Sequence, residues 1–214
     1  MAEVAQVKRG YLRGVRGLLI TPLETSGAMP GTPVNFWIDT AQNVGVTAEI
    51  VTGESADLRG GDRLLVRIEE DDVTVGVNLS FTDARFDAKA TEIIAGGTLI
   101  TEAGEGEDPD LTPVGWEAPT VTEQGEDRTP FQAEVYVESF NANGGREGWL
   151  KYTFRYCKGN VPNITLGDQE WGTPEFTIDA RENPSTGASA YRKEFVDALP
   201  AEATPEGEGE GGET

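Results

Sequence analysis

The chain has 214 residues, 37% of them hydrophobic and 26% charged, which is enough apolar material to build the core of one folded domain. Thirty-eight acids oppose 17 bases for a net charge of −21, a field that repels phosphate backbones and argues against tight or sequence-specific nucleic-acid binding. The absence of histidine and the single cysteine exclude histidine-dependent triads, zinc sites and proton shuttles, and any disulfide within the chain. The composition points away from an enzyme, and no metal or cofactor is expected.

The start of the chain interleaves Lys8, Arg9, Arg13 and Arg16 with Tyr11, Leu12, Val15, Leu18 and Ile20. Two readings stand side by side: an arm that packs on a neighbouring subunit, or a first strand over residues 15–21 behind a frayed end. No stretch is apolar enough for a membrane span or a secretion signal, so no membrane partner is expected. A Pro- and Gly-rich loop over residues 21–33 precedes short strands at 34–40 and 44–52, and residues 53–62 read as a polar Gly-rich loop.

Residues 63–69 and 73–81 form the centre of the pattern. Leu64, Val66 and Ile68 alternate with polar positions, and Val73, Val75, Val77, Leu79 and Phe81 alternate with Thr74, Gly76, Asn78 and Ser80. This period of two predicts strands with one buried and one wet face, joined into a hairpin by Glu70-Asp71-Asp72. Residues 87–97 predict a short helix with Asp87 as N-cap and Gly96-Gly97 as stop.

Residues 102–110 are acidic and read as a solvated loop, with Glu105, Glu107, Asp108 and Asp110 as a conceivable cation site lacking a fixed backbone. Residues 131–139 and 149–157 predict a second hairpin, in which Glu134 and Glu138 can face Lys151 or Arg155. Cys157 lies on this aromatic strand with no histidine to activate it and is expected to be inert. Strands are expected at 164–172 and 174–183, and an amphipathic helix at 189–199. The divisions expected are an N-terminal arm over 1–15, a main domain over 16–199 and a disordered acidic tail over 200–214.

This order of elements resembles the major tail tube protein of long-tailed bacteriophages. The residues that carry the resemblance are GYLRGVRGLLITPL near the start, RLLVRIEEDDVTVGVNLSFTDARFDAKATEIIAGGTL in the middle, and FQAEVYVESF and GWLKYTFRYCKG later. It spans most of residues 10–199 and rests on architecture and texture, with no invariant motif. The resemblance implies a mainly β fold, an antiparallel two-sheet β-sandwich with one or two short helices.

It further implies a structural virion protein. Hexameric rings of this subunit would stack into the hollow tube of the tail through which DNA is ejected without specific binding. Partners by the same analogy are other copies of the chain and the tape-measure and tail-terminator proteins. The subunit would be made in the host cytoplasm and reside in the virion tail; a contractile tail or secretion apparatus is the near alternative. The polar faces of the hairpins supply the candidate lumen residues Glu69, Thr74, Asn78, Ser80, Glu134 and Glu138. By position, contacts between subunits fall to Tyr11, Leu12, Val15 and Leu18 and to Ser55 and Leu58.

Two readings from other classes compete. A non-catalytic β-sandwich binding module for carbohydrate or protein would use Trp37, Trp116, Trp149 or Trp171 on an exposed face. A carboxylate hydrolase would need two acids converging in a cleft, and the sequence singles out no pair.

Overall fold

The computed structural model describes residues 8–103, 111–121 and 128–203. They form β1 (Tyr11–Pro22), β2 (Phe36–Ile38), β3 (Ala41–Val51), β4 (Ser55–Gly60), β5 (Arg63–Glu69), β6 (Val73–Asp83) and α1 (Ala88–Ala95). There follow β7 (Thr98–Ala103), β8 (Leu111–Glu117), β9 (Phe131–Phe140), β10 (Arg146–Gly159), β11 (Asn163–Ile164), β12 (Pro174–Ala180) and β13 (Tyr191–Val196). Every pairing is antiparallel, as expected for a mainly β chain.

Nine strands form one hydrogen-bonded sheet in the order β2-β1-β9-β10-β12-β6-β3, with β13 also on β10 and β11 on β12. The strand that folds this sheet into a sandwich is β10. One of its edges carries β9; the other carries β13 along Trp149–Phe154 and then β12 along Cys157–Gly159. One layer is therefore β2-β1-β9-β10-β13 and the other is β12-β6-β3.

The core lies between the layers. Leu18, Ile20, Ala133, Val135 and Phe154 face Val77, Leu79, Phe81, Phe176, Ile178 and Ala180, all buried. Phe81 and Phe176 are register partners on β6 and β12, and their rings stack with centroids 4.7 Å apart. The alternation of β6 faces the core from Val77 to Phe81, whereas Val73 and Val75 lie beyond the core and are exposed.

Helix α1 forms where expected. The Asp87 carboxylate accepts from the backbone N–H of Lys89 at 2.9 Å and Ala90 at 3.1 Å, and the Gly96 N–H donates to Glu92 O at 2.9 Å. Its buried face (Ala90, Ile94, Ala95) packs against β8 and β10.

Two expectations are corrected. First, residues 63–69 do not pair with 73–81. Strand β5 pairs with β4 across the two-residue turn Gly61-Asp62, with Gly61 at φ +62°, while β6 pairs with β3 and β12. Glu70-Asp71-Asp72 is an elbow, held by Glu70 N–H to Glu54 O and Gly53 N–H to Asp72 Oδ1, both 3.0 Å. Second, the helix expected over 189–199 is strand β13, with Tyr191, Lys193 and Phe195 opposite in face to Arg192, Glu194 and Val196. The open backbone groups of β10 need partners, and a run containing Tyr, Phe and Val accepts the extended form that satisfies them. The position of the boundary expected at residue 15 lies within β1, whose Tyr11–Arg13 pair with Phe140–Glu138.

The tail expected to be disordered over 200–214 is in place as far as residue 203. Ala201–Ala203 form a 3-10 turn with Ala203 buried, and Asn35 Nδ2 donates to Glu202 Oε1 at 2.5 Å. Residues 204–214 lie outside the described residues.

Two substitutions separate core from periphery. Phe81→Ala should cost about 3–5 kcal/mol in urea denaturation, whereas Val66→Ala, on exposed β5, should stay within about 0.5 kcal/mol.

Candidate assembly surfaces

Strands β4 and β5 continue β3 and β6 beyond the elbow as a single-layer arm with no sheet beneath it. The register pairs Ala56 with Ile68 and Leu58 with Val66, which places these four on one face; a bulge then shifts the register, and Leu64 pairs with Arg59. All of β5 is exposed; Leu58 and Ile68 each keep 60% of their surface open to solvent. The opposite face carries Asp57, Arg67 and Glu69, with Arg67 Nε 2.6 Å from Glu69 and 3.8 Å from Asp57. Exposed pairs of this kind stabilise weakly. An amphipathic ribbon with an unshielded aliphatic face has the character of a contact surface.

The two layers converge where β10 meets β12 and leave a cleft between them elsewhere. It measures about 410 Å³ and is lined by Val15, Val44, Val46, Ala48, Val137 and Tyr152, among others. Its one charged lining residue is Lys193, whose ammonium lies 5.2 Å from the Tyr152 ring centroid and 5.5 Å from that of Tyr191.

The six candidate lumen residues do not share a surface. Glu69 is on the arm. Thr74, Asn78 and Ser80 lie on the outer face of β6, where Asn78 is flanked by Thr47 and Asp179, and Ser80 by Gly45 and Thr177. This face is mostly small, neutral and polar, with an ion pair of 2.8 Å between Arg181 and Glu49. Glu134 and Glu138 belong to β9 in the other layer, so their polar face points to the opposite side of the sandwich.

Glu134 is moreover enclosed, its side chain only 12% exposed. It accepts from Tyr136 Oη at 2.7 Å and Gln132 Nε2 at 3.2 Å, with Lys151 Nζ at 3.5 Å. Lys151 also reaches Glu194 of β13 at 2.9 Å. Burial, and then the Glu134 carboxylate, push the Tyr136 hydroxyl far above its ordinary range. Burial pulls the Lys151 ammonium down, but its hydrogen bond to Glu194 and the charges of both glutamates outweigh this and raise it. Glu194 is held below its ordinary value, chiefly by the hydrogen bond from Lys151. Beside this network Leu19, Tyr136 and Trp149 form a second apolar cluster with Trp37, Val196 and Leu199. Glu134 is thus held by partners within its own subunit, whereas Glu138 is partly open, 3.9 Å from Arg146.

Of the candidate contact residues, Leu18 is 0% exposed and packs in the core of its own subunit. Val15 lines the cleft. Tyr11 and Leu12 are exposed at the start of β1, and Ser55 and Leu58 lie on the arm. Sequence reasoning treated Leu64, Val66 and Ile68 as a buried strand face and missed them as surface. The signal was present in Gly61-Asp62, a two-residue hairpin turn.

Trp37 packs edge-on against Tyr136 with centroids 5.7 Å apart, and Trp116 Nε1 donates to Gly96 O at 2.8 Å. Trp149 is buried, and only Trp171 of the four is free, at 93% exposure. Cys157 is fully buried, and burial pushes its thiol well above the ordinary value. Glu105, Glu107, Asp108 and Asp110 lie outside the described residues. Among the described residues no group of three or more His, Cys, Asp or Glu is arranged to hold a metal.

The Lys151–Glu194 pair sets a pH dependence. A depressed glutamate stabilises the fold above its ordinary value of 4.5 and loses that contribution as pH falls through the lower folded value. A raised lysine contributes below 10.5 and loses it at higher pH. In urea denaturation the stability difference between the wild-type protein and Glu194→Gln should be constant from pH 5 to 9 and narrow below pH 4.5. A difference that persists unchanged at pH 3 would remove the ion pair as its source.

No family model matches the sequence, and no curated protein is detectably similar to it. Among solved structures, one similar chain belongs to the cryo-EM structure of the anti-feeding prophage baseplate, six-fold symmetrised. It is 14% identical, the match covers 92% of this chain and 100% of that one, and the TM-score is 0.32. The likeness is distant and too remote to carry a function.

Proposed function

We propose that this chain is a structural subunit that joins copies of itself, as stacked hexameric rings, into a hollow tube of a phage tail through which DNA passes. The observation that carries the reading is the β4–β5 arm, with an aliphatic face that the subunit itself leaves uncovered. A second support is β3, the last strand of its layer, which among the described residues pairs only with β6 and so offers its other edge to a neighbouring strand. Ring closure removes such edges.

In this reading the outer face of β3, β6 and β12, including Thr74, Asn78 and Ser80, is the lumen wall. Its hydroxyls and amides, with Glu175 and Asp179 among them, give passing DNA little to hold, and the overall charge of −21 repels it. Tyr11 and Leu12 take part in the joint between subunits. Tape-measure and terminator proteins would meet the ends of the tube, in the virion tail. The role is mechanical, and no catalytic step is assigned to any residue.

One observation favours a second reading, a non-catalytic binding module. Trp171 and Leu166 are both exposed on the segment between β11 and β12, and a stacking aromatic there would hold carbohydrate or an apolar protein surface. A glycan array without hits, alongside self-assembly, would count against it.

The test of the main reading is negative-stain electron microscopy with light scattering on concentrated protein. Tubes or rings are expected from the wild type. Leu58→Asp should give a folded monomer of 23.0 kDa and lose assembly at least tenfold in protein concentration. Equal assembly by both would remove the arm as the joint, and a wild type that stays monomeric with any nucleating partner would sink the reading.

A further inference from the structure

We infer that the cleft between the two layers is the receptor for the arm: the aliphatic face of β4–β5 from one copy seats among Val15, Val44, Val46, Ala48 and Val137 of the next. This rests on the self-assembly reading and adds to it the place where the arm goes.

The cleft calls for an amphipathic occupant. At about 410 Å³ it has room for several side chains, and its walls of Val, Ala and Tyr with Lys193 present aliphatic groups interspersed with polar atoms. Aliphatic side chains fill its apolar part. The arm presents Leu58, Val66 and Ile68 on one face of a narrow ribbon, the shape that enters a slot between two sheets.

Charge agrees with the assignment. The cleft contributes a lysine, Lys193, and no acid. The arm and its elbow contribute Glu54, Asp57, Asp62 and the acidic run Glu69-Glu70-Asp71-Asp72 against Arg59, Arg63 and Arg67. An incoming arm therefore brings an excess of acids to a cationic lining.

The occupant is a second copy because no other described residue of the chain covers the arm. The roots of that arm, Val46, Ala48 and Val77, are themselves walls of the cleft. The elbow fixes how the arm leaves: a Cβ on Gly53 would stand 2.0 Å from Glu70 O, so only glycine permits this approach of the two strands. The arm and the cleft are different surfaces of one chain, so the contact is head-to-tail and propagates from copy to copy.

Cross-linking tests this in the full-length protein. Val66→Cys places a thiol on the arm and Val46→Cys places one at the cleft, while native Cys157 is buried and unreactive. Mixed under assembly conditions with a short bis-maleimide, the two variants should give a linked pair at twice 23.0 kDa. The yield should exceed that of either variant alone severalfold. Val66→Cys mixed with Leu166→Cys, exposed but away from the cleft, should give only background. Rings or tubes by microscopy with no enrichment of the Val66–Val46 link would overturn the docking site and leave the self-assembly reading standing. Absence of any assembly, with no link, would overturn both.

Discussion

The fold depends on one strand serving two partners along a single edge. Over its fourteen residues β10 pairs with β9 on one side and divides the other between β13 and β12. Layers that merely pack can slide; layers joined by a backbone ladder are fixed in register. Cys157 marks the junction, paired with Phe131 on one side and Ala180 on the other. Small side chains there (Cys157, Ala133, Ala180) let the layers approach, and Phe81, Phe154 and Phe176 fill the space further in. Where the layers separate again, the same geometry leaves the cleft.

The arm follows from strands that outrun their core. β3 and β6 have eleven residues each, and only the half that includes Val77, Leu79 and Phe81 has a layer to bury against. Beyond it the apolar alternation continues through Val75 and Val73 and, past the elbow, through Ile68, Val66 and Leu64, all exposed. A sequence pattern suited to burial, on a part of the fold that supplies no burial, is the basis for assigning the arm to a partner. The charge of −21 adds a constraint, since copies of this chain repel at long range. An aliphatic contact holds independently of that repulsion once it is made.

The outer faces of the two layers have different chemistry. That of β3, β6 and β12 is a field of Thr, Ser, Asn and Gly with the acids Glu175 and Asp179 and one Arg181–Glu49 pair. That of β9 and β10 is a half-covered network of Glu134, Lys151, Glu194 and Tyr136 beside the Trp37–Trp149 cluster, with Leu199 packed on it. Period-two reading assigns both to the polar side of a strand and cannot distinguish them, because the distinction lies in what covers each face from elsewhere in the chain.

By itself the sequence determined what depends on neighbours a few residues away. The alternation of β6 and β9, the cap of α1 by Asp87 and the inertness of a lone Cys157 without histidine were all legible, because local periodicity, capping and composition decide them. The tertiary structure decided the rest: that β5 turns back on β4 and leaves β6 to β3 and β12, that residues 191–196 extend along β10 where their pattern allowed a helix, and that Leu18 and Glu134 are enclosed. Each depends on which distant backbone edge or side chain is free to be satisfied, and that competition among long-range pairings is not written in any local stretch.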